Sequence, residues 1–591
     1  MKGQGRFAGY NLASLRKDLL SGTIVGVVAI PLGMAFAIAS GVKPEYGIYT
    51  TIVAGILISL LGGSKFQIGG PTGAFIPILF AIGMQYGLEN LLIAGMMAGV
   101  ILVLMGLLRL GVLIQFIPKP VTIGFTSGIA VIIFTGQIGN FLGLEGMERH
   151  EYFVDNMKEI GARLSTVNPY AIITAGICLA VILLGKRYAP KVPGSLVGLV
   201  LASVIAALLF KDGVTTIGSA YGDIPSTLPS FRMPGITWEK LGSLLRPAFV
   251  IAMLGAIESL LSAVVADGMA GTRHNSNREL IGQGIANIAA PLFGGIPATG
   301  AIARTATNIR SGAASPMSGI IHGVVVLLIL LLCAPYASSI PLAAMAPILM
   351  VVAWNMSERK EFLHLLKLKT GDSLVLFITF VLTVFADLTV AVEAGLILAV
   401  VLFIKRMGQS HLVSKVLPDP ASVKVLPHMV SDNHDCPQVA IYDVEGPLFF
   451  GAAYRFADTM PSSGPDQAKT VLLRMGKVPL IDTTGEANLA GLVKGLQENG
   501  GRLFISGLQP QPLELLKRTG LYDRIGAEQF FDRTGDAIQA ALGSVNVSRC
   551  RGCRHAAFRE CAAFSAKTEP AGRGAFAGRA SAAPRKLGGE A

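Results

Sequence analysis

The feature that most constrains this chain is a succession of apolar runs long enough to cross a lipid bilayer. Leu91–Leu108, Ala171–Leu184 and Val324–Cys333 with its neighbours are the clearest of them. The hydrocarbon core of a bilayer is about 30 Å thick, and about 20 apolar residues in a helix cross it. Backbone groups in lipid must be paired within the protein, so runs of this length read as helices. Only 15% of the 591 residues are charged, against about 25% in soluble domains. The formal net charge of +12 fits basic cytoplasmic loops and an Arg-rich tail rather than nucleic-acid binding. Six cysteines in so long a chain do not make a disulfide framework. Residues 1–18 are polar and basic and read as a cytoplasmic N-terminus. The run Leu19–Ala39 is too long for a signal-peptide core and is expected to stay as the first span.

The hydropathy pattern predicts about fourteen spans within 19–406: 19–40, 46–62, 70–84, 88–108, 119–141, 168–185, 193–210, 243–267, 279–293, 301–313, 315–335, 340–356, 371–387 and 389–406. An even number puts both termini on one side of the membrane. The basic loop residues, among them Lys65, Arg109, Lys119, Lys186, Arg187, Arg273, Arg278, Arg359 and Lys360, fall on that side, which makes it cytoplasmic. The 142–167 loop on the other side is acidic.

Hydropathy collapses after Arg406. Residues 407–437 read as a linker with Pro418, Pro420 and Pro427, and residues 438–543 as a soluble α/β domain. Strands are expected at Val439–Glu445, Lys469–Met475 and Leu503–Ser506, and helices at Tyr454–Met460, Leu489–Glu498, Pro512–Arg518 and Arg533–Leu542. That alternation implies a small parallel or mixed sheet covered by helices. Residues 544–591, rich in Ala, Gly and Arg, read as a disordered basic tail. Its Cys550-Arg551-Gly552-Cys553, with His555 and Cys561, resembles half a zinc site. No second pair accompanies it, so free thiols and no metal are expected.

Two stretches break the membrane pattern, Ile68-Gly69-Gly70-Pro71-Thr72-Gly73-Ala74-Phe75 and Gly294–Thr305. Short hydrophobic segments interrupted by Gly and Pro, in corresponding positions of two halves, point to the substrate site of a transporter. Each break can start a half-helix, with Pro71 in the first turn of one and Gly300 turning the chain before the other. Free N–H groups and the helix dipole at such N-termini attract anions. Thr72 and Thr299 could add hydroxyl donors, and Arg304 a full positive charge. Glu258 lies at the centre of another apolar span. A lone carboxylate there costs about 2.5–3.5 kcal/mol on insertion scales, which a cation or a proton relieves. Ser262, one turn on, falls on the same helix face. A structural ion pair between Glu258 and Arg304 is the alternative to a coupling role. Pro31 is expected to bend the first span and Gly33 to allow close packing, while Phe36 either lines a cavity or packs between helices. Asp387 and Glu393 read as solvated turn residues, and Gln137 and Asn140 as structural. No nucleophile–base pair, zinc motif or phosphate loop stands out, so an enzyme is not expected and no cofactor is required.

These residues resemble the SulP family of anion transporters, relatives of the sulfate permeases and family twenty-six solute carriers. The matching stretches are Ile30–Ile38, Gly69–Thr72, Gly124–Ile129, Gly255–Leu261 and Glu279–Asn287. Within the family, Met253–Leu261, Ala301–Arg304, Val352–Glu358 and Gly446–Phe450 are most similar to the bacterial C4-dicarboxylate transporters. The resemblance implies a polytopic α-helical fold of about fourteen spans in two inverted seven-helix repeats, with a core domain moving against a gate domain and half-helices at the third and tenth spans. It places the anion site on Leu32, Phe36, Thr72, Gly73, Ala74, Ala301, Ile302, Ala303 and Arg304, with Glu258 and Ser262 beside it for proton coupling. The soluble part resembles a STAS domain, whose Asp482-Thr483-Thr484-Gly485 matches a phosphorylatable loop; an ordinary helix N-cap is the alternative there. Ile302 has no side-chain ligand for a hard cation, which disfavours sodium. Leu32 stands where many eukaryotic relatives have a glutamine.

The reading is therefore a secondary active anion transporter of the bacterial inner membrane, taking up C4-dicarboxylates such as succinate or fumarate with protons. Sulfate or bicarbonate transport is an alternative, and so is a channel-like or anion-sensing protein that signals through the STAS domain. The expected partners are the small anion, a proton, membrane lipid, a second copy of the chain, and a cytoplasmic partner of the STAS domain, with no nucleic acid.

Overall fold

In the computed structural model the described residues are 6–7, 10–111, 118–188, 193–210, 213–386, 388–409, 412–419, 425–426, 429–431, 434–450, 456, 468–551, 553–555 and 557–561. The chain divides into two compact units, Met1–Ala399 and Val400–Ala591.

Every predicted span is helical. They are α1 (Leu12–Ala39), α2 (Pro44–Leu61), α3 (Ile76–Tyr86), α4 (Leu88–Leu107), α5 (Lys119–Gly136) continued by the short α6 (Ile138–Leu142), α8 (Pro169–Tyr188) and α9 (Gly194–Leu209). The second half gives α11 (Trp238–Ala270), α12 (Ser276–Leu292), α13 (Ile302–Arg310), α14 (Met317–Ser338), α15 (Leu342–Met356), α17 (Gly371–Phe385) and α18 (Leu388–Gln409). Among the described residues of the first unit, three α-helices lie outside the predicted spans: α7 (Phe153–Ala162), α10 (Ile217–Tyr221) and the polar α16 (Arg359–Lys367). Among the described residues seven helices are long and apolar enough to cross a membrane by length and composition. Shorter apolar elements include Gly73–Tyr86, Gly194–Leu209 and Gly371–Phe385.

The helices sort into two packed groups. In one, α1 lies against α2 and α14, α4 against α12, and α11 against α4 and α13. In the other, α5 packs on α15 and α17, and α8 on α9 and α15. Small residues set the closest approaches, as expected where lipid supplies no hydrophobic drive between helices. A Cβ on Gly99 of α4 would lie 2.6 Å from the Gly284 carbonyl of α12, and one on Gly284 would lie 2.5 Å from the Gly99 carbonyl. Pro31 lies inside α1, and the neighbouring Gly33 packs on α2, where a Cβ would meet Thr51 and the Gly47 carbonyl.

Two fully buried carboxylates hold the loops that lead into and out of the broken segments. Glu279 on α12 accepts the amides of Gly63 at 2.7 Å and Ser64 at 2.9 Å, just after α2. Asp18 on α1 accepts the amides of Ala314 at 2.6 Å and Ser315 at 3.1 Å, just after α13. Neither carboxylate has a sequence signal of its own. Each is buried because backbone donors satisfy it.

The second unit is a six-stranded mixed sheet in the order β4-β3-β5-β6-β7-β8. The strands are β3 (Leu412–Pro418), β4 (Val425–Leu426), β5 (Val439–Glu445), β6 (Thr470–Lys477), β7 (Arg502–Ser506) and β8 (Phe530–Phe531). From β5 to β8 the pairing is parallel, while β3 runs antiparallel to β5 and to β4. Helices α19 (Thr483–Glu498), α20 (Pro510–Arg518), α21 (Leu521–Ile525) and α22 (Thr534–Gly543) complete the unit. The predicted helix Tyr454–Met460 lies outside the described residues, Phe456 excepted.

Two sequence expectations are corrected here. The stretch read as linker, 407–437, contains β3 and β4. Its prolines mask a strand that exists because Val413, Val416 and Leu417 can pack once β5 supplies a partner edge. The stretch read as disordered tail is packed up to Cys561: after the short helix α23 (Val547–Cys550), Ala557 and Phe558 are 3% exposed and sit in the cluster with Val416, Ile441 and Phe504. Gln438 clamps this segment, accepting the Asn546 amide at 2.9 Å and donating to Cys550 Sγ at 3.3 Å. All six cysteines are free thiols.

Replacing Phe558 with Ala should therefore destabilise the second unit by about 3–5 kcal/mol, the usual loss for a buried aromatic. The measurement is denaturant-dependent trypsin protection of the full chain. An unshifted midpoint would mean the segment does not contribute to the core.

Candidate functional site

The two broken stretches meet. Their extended residues, β1 (Gly69–Gly70) and β2 (Thr299–Gly300), pair antiparallel, with Gly69 opposite Gly300 and Gly70 opposite Thr299. This pairing is flanked by bonds from the Ala301 amide to the Ile68 carbonyl at 2.8 Å and from the Ile68 amide to Thr305 Oγ1 at 3.0 Å. The irregular backbone ahead of β2 is also paired. Asn287 donates to the Ala298 carbonyl and accepts the Ala298 amide, both at 2.8 Å. Thr50 Oγ1 accepts the Ile296 amide at 2.7 Å. Non-helical backbone at membrane depth persists only when it is buried in protein or lines a cavity, and here nearly every group has its partner.

The exceptions are at the two helix starts. The first half-helix opens with a 3₁₀ turn, Gly73–Phe75, and runs into α3, with Thr72 at its N-cap position; the second is α13, with Ala301 at its N-cap. Neither cap residue bonds its side chain to the following amides. Among the described residues the amides of Gly73 and Ala74, and those of Ile302, Ala303 and Arg304, have no backbone acceptor. These are the orphan donors of two helix N-termini. Pro71 is therefore not in the first turn, as the sequence suggested. It precedes the cap, and Pro77 takes the early helical position in α3.

Arg304 is 3% exposed. One guanidinium nitrogen, Nη2, donates to the Pro71 carbonyl, while Nη1 has no hydrogen-bond partner among the described residues. The guanidinium lies against Gly70, where a Cβ would come within 2.6 Å of Nη1. Glu258 on α11 does not pair with it. Its Oε2 accepts a hydrogen bond from Thr72 Oγ1 at 2.7 Å, and among the described residues no ion pair joins it to Arg304.

These groups line a cavity of about 380 Å³. On one wall are Leu32 and Phe36 of α1, Thr72 and Gly73, Glu258, and Ala301 to Arg304. The other is formed by Phe125 and Thr126 of α5, and by Val352, Asn355 and Met356 of α15. Most of the lining is apolar, with Met253, Ile257 and Leu261 of α11 contributing. At one end the cavity reaches Val121 and Thr122 at the start of α5 and Glu358 after α15.

The sequence-predicted residues divide accordingly. Leu32, Phe36, Thr72, Gly73, Glu258, Ala301, Ile302, Ala303 and Arg304 share the cavity. Ala74 is fully buried behind it. Thr299 is spent on the Gly255 carbonyl at 3.0 Å, and Ser262 donates to Thr305 Oγ1 at 3.3 Å, so neither hydroxyl reaches the cavity. Glu393 is not a turn residue: it lies within α18, lines the cavity and stands 3.5 Å from Arg246. Asp387 lies outside the described residues. Gln137 and Asn140 line a separate cavity with Arg149 and Glu151. Sequence reasoning missed the α5 and α15 lining, because apolar residues on an apolar helix carry no periodic mark of the face they present. In the second unit Asp482 caps α19, accepting the Gly485 amide at 2.8 Å and the Phe450 amide at 2.9 Å, with Thr483 and Thr484 exposed in the first turn.

Opposed half-helix N-termini with one buried arginine, inside a helical membrane bundle, define a transporter that handles small anions. The chain belongs to the sulfate permease family, whose model matches residues 15–379, and it carries a STAS domain at residues 432–537. It is 57% identical over 532 residues, 90% of this chain and 99% of the relative, to the "Putative sulfate transporter YvdB" of Bacillus subtilis. The transmembrane domain of a cyanobacterial bicarbonate transporter, BicA, matches at 32% identity with a TM-score of 0.59, covering 66% of this chain and 98% of that one. The murine Solute Carrier 26 family member A9 anion transporter, in the inward-facing state, shares the fold with a TM-score of 0.82 at 18% identity, over 90% of this chain and 93% of that one. The protein is thus an integral membrane anion transporter, and its family's members are transporters rather than enzymes.

Gly70→Ala should push the guanidinium off the Pro71 carbonyl. Anion binding to the purified protein is expected to weaken about tenfold, equivalent to about 1.4 kcal/mol, and thermal stability to fall as well, because Gly70 stands at φ 147°, a conformation that L side chains rarely adopt. Unchanged affinity would show that Arg304 does not need this seat.

Proposed function

We propose that the protein is a secondary active symporter that takes up C4-dicarboxylates such as succinate and fumarate together with protons, by alternating access. The observation that carries this reading is the division of the cavity. One face offers amides without a backbone acceptor and Arg304 Nη1 without a hydrogen-bond partner among the described residues, and most of the remaining lining is apolar. An anion with a hydrocarbon middle satisfies both, since a buried charge must be paired and an apolar wall gains by covering CH₂ groups. Sulfate is the second reading, supported by the name of the Bacillus relative at 57% identity.

Proton coupling is assigned to Glu258. The carboxylate faces the cavity held by one hydroxyl, apart from Arg304, so it is free to take and release a proton. Ser262 is committed to Thr305 and Ile302 offers no side-chain oxygen, which argues against a sodium site. Leu32, Phe36, Thr72, Gly73 and Ala301–Arg304 are assigned to the anion, with the Ala74 amide supporting from behind. Both termini are proposed to be cytoplasmic, in the inner membrane, as the loop charges indicate. A homodimer and a regulatory role for exposed Thr483 and Thr484 beside Asp482 belong to the same reading.

In proteoliposomes, uptake of labelled succinate should rise as the external medium is acidified, and substrate should accumulate against its gradient when a pH gradient is imposed. Glu258→Gln should abolish accumulation and keep downhill exchange. Accumulation by Glu258→Gln at the wild-type level would rule out its proton role. Side-by-side uptake of succinate, fumarate, sulfate and bicarbonate decides the substrate: faster sulfate uptake with no succinate competition would favour the second reading.

A further inference from the structure

The cavity carries more negative charge than an anion site needs. Besides Glu258 it is lined by Glu393 and Glu358. Glu393 is answered by Arg246 at 3.5 Å. Glu358 is not: among the described residues no ion pair holds its carboxylate, and its side chain does not cap α16 although the residue stands at the N-cap.

Two observations single Glu358 out. It lines the cavity together with Val121 and Thr122 at the start of α5, and it is itself solvent-exposed, so it stands where the cavity opens. Its backbone is in the left-handed region, at φ 39° and ψ 36°, one of three non-glycine residues with positive φ among those described. Strain of this kind persists where the surroundings over-determine it, and it gathers at functional positions. Here the surroundings are visible: Ser127 Oγ of α5 donates to the Ser357 carbonyl at 2.7 Å, and the Phe362 amide donates to the Glu358 carbonyl at 3.0 Å. The residue is pinned between α15 and α16 with its carboxylate left at the mouth.

The charged and titratable groups on the neighbouring elements are Lys119 at the start of α5, Arg359, Lys360, Glu361, His364 and Lys367 on α16, Asp372 in the first turn of α17, and Glu393, Lys405 and Arg406 on α18; across the cavity stand Glu258 and Arg304. Arg359 is occupied over the Trp354 ring at 4.4 Å. Partial burial pushes the Glu358 carboxyl above the ordinary carboxylate range; Glu361 adds to this, and Lys119 opposes it. A carboxyl so placed changes charge closer to neutral pH than a solvated one does.

We propose that Glu358 is the proton acceptor at the mouth of the cavity, receiving the proton that Glu258 gives up and thereby neutralising the carboxylate that a departing anion must pass. The step is balanced. Glu258 goes from acid to carboxylate and Glu358 from carboxylate to acid, so the net charge of the cavity is unchanged. The negative charge moves from the mouth to the neighbourhood of Arg304, where it competes with the bound anion. The mouth then admits the anion, and Glu358 releases its proton to the solvent on that side. This inference rests on the proposed proton coupling through Glu258.

The test is counterflow with the full-length protein in proteoliposomes, using labelled succinate and labelled sulfate in separate runs. The external pH is held fixed and the internal pH is stepped from acid to alkaline. Wild-type exchange should fall as the internal pH rises through the Glu358 titration, to about a tenth of its acid plateau one pH unit past the midpoint. E358Q should stay at the plateau throughout. E358D should recover the dependence with its midpoint moved to lower pH, following the lower intrinsic pKa of Asp. A wild-type profile retained in E358Q, or rates scaled equally at every pH in both variants, would overturn the assignment and leave the role of Glu258 standing. If E358Q does not fold, an unmoved midpoint in E358D overturns it instead. Wild-type exchange indifferent to pH on both sides would remove the coupling reading and this inference together.

Discussion

The structure depends on one solvation problem: two stretches of chain leave the helical hydrogen-bond pattern at membrane depth, where no water can satisfy them. The solution is to cross them. The β1–β2 pairing ties Gly69–Gly70 to Thr299–Gly300 across the crossing. Thr50, Asn287 and Thr305 supply side-chain partners for the residues on either side. Gly300 is required at the crossing, because a Cβ there would fall within 1.5 Å of Gln67 Nε2, itself bound to the Ser259 carbonyl. Among the described residues the amides at the two helix starts are left without a backbone acceptor. The need to pair everything else concentrates the residual positive potential at one place.

The same crossing sets the electrostatics of the cavity. Arg304 enters from α13 and is held by the Pro71 carbonyl of the opposite break, while Thr72 of that break holds Glu258. Two adjacent residues of one break, Pro71 and Thr72, therefore keep the cation and the carboxylate apart. A buried pair in direct contact would satisfy both charges and leave neither for a substrate or a proton. Separation by backbone and hydroxyl partners leaves each charge partly satisfied, which a folded protein tolerates and a binding site needs. The buried carboxylates Asp18 and Glu279 act one step further out, gripping the loops beyond α13 and α2 so that the two breaks stay in register.

Much of this was legible in the residues. The spans follow from hydropathy, since a helix in lipid must be apolar along its length, and the structure places a helix at each. Yet α1 starts at Leu12 rather than at 19 and takes in part of the stretch read as N-terminus, and α3 starts at Ile76 rather than at 70. The two breaks announced themselves through Gly and Pro at membrane depth, and Glu258 and Arg304 through their charge. What failed did so for physical reasons. Strand β3 was read as linker because its pairing partner lies beyond a long loop and its prolines read as turn signals. The segment ending at Cys561 was read as disordered because its two anchoring residues, Ala557 and Phe558, make no periodic pattern. Ser262 shares a helix face with Glu258 in principle, but Thr305 lies nearer to it than the cavity does.

By itself the sequence determined the class of molecule: a bundle of membrane helices with two interruptions, two intramembrane charges and a soluble α/β domain behind them. Each is a local property of composition, and lipid allows few ways to accommodate it. Only the tertiary structure decided which donors and charges stay free. Arg304 could have been neutralised by Glu258, and Thr299 could have faced the cavity; instead Pro71, Thr72 and Gly255 claim those bonds. The lining from α5 and α15, and the place of Glu358 in it without an ion-pair partner among the described residues, are likewise products of packing. Whether a polar group is available is settled by the neighbours brought within hydrogen-bond distance of it, and those come from parts of the chain that the sequence sets far apart.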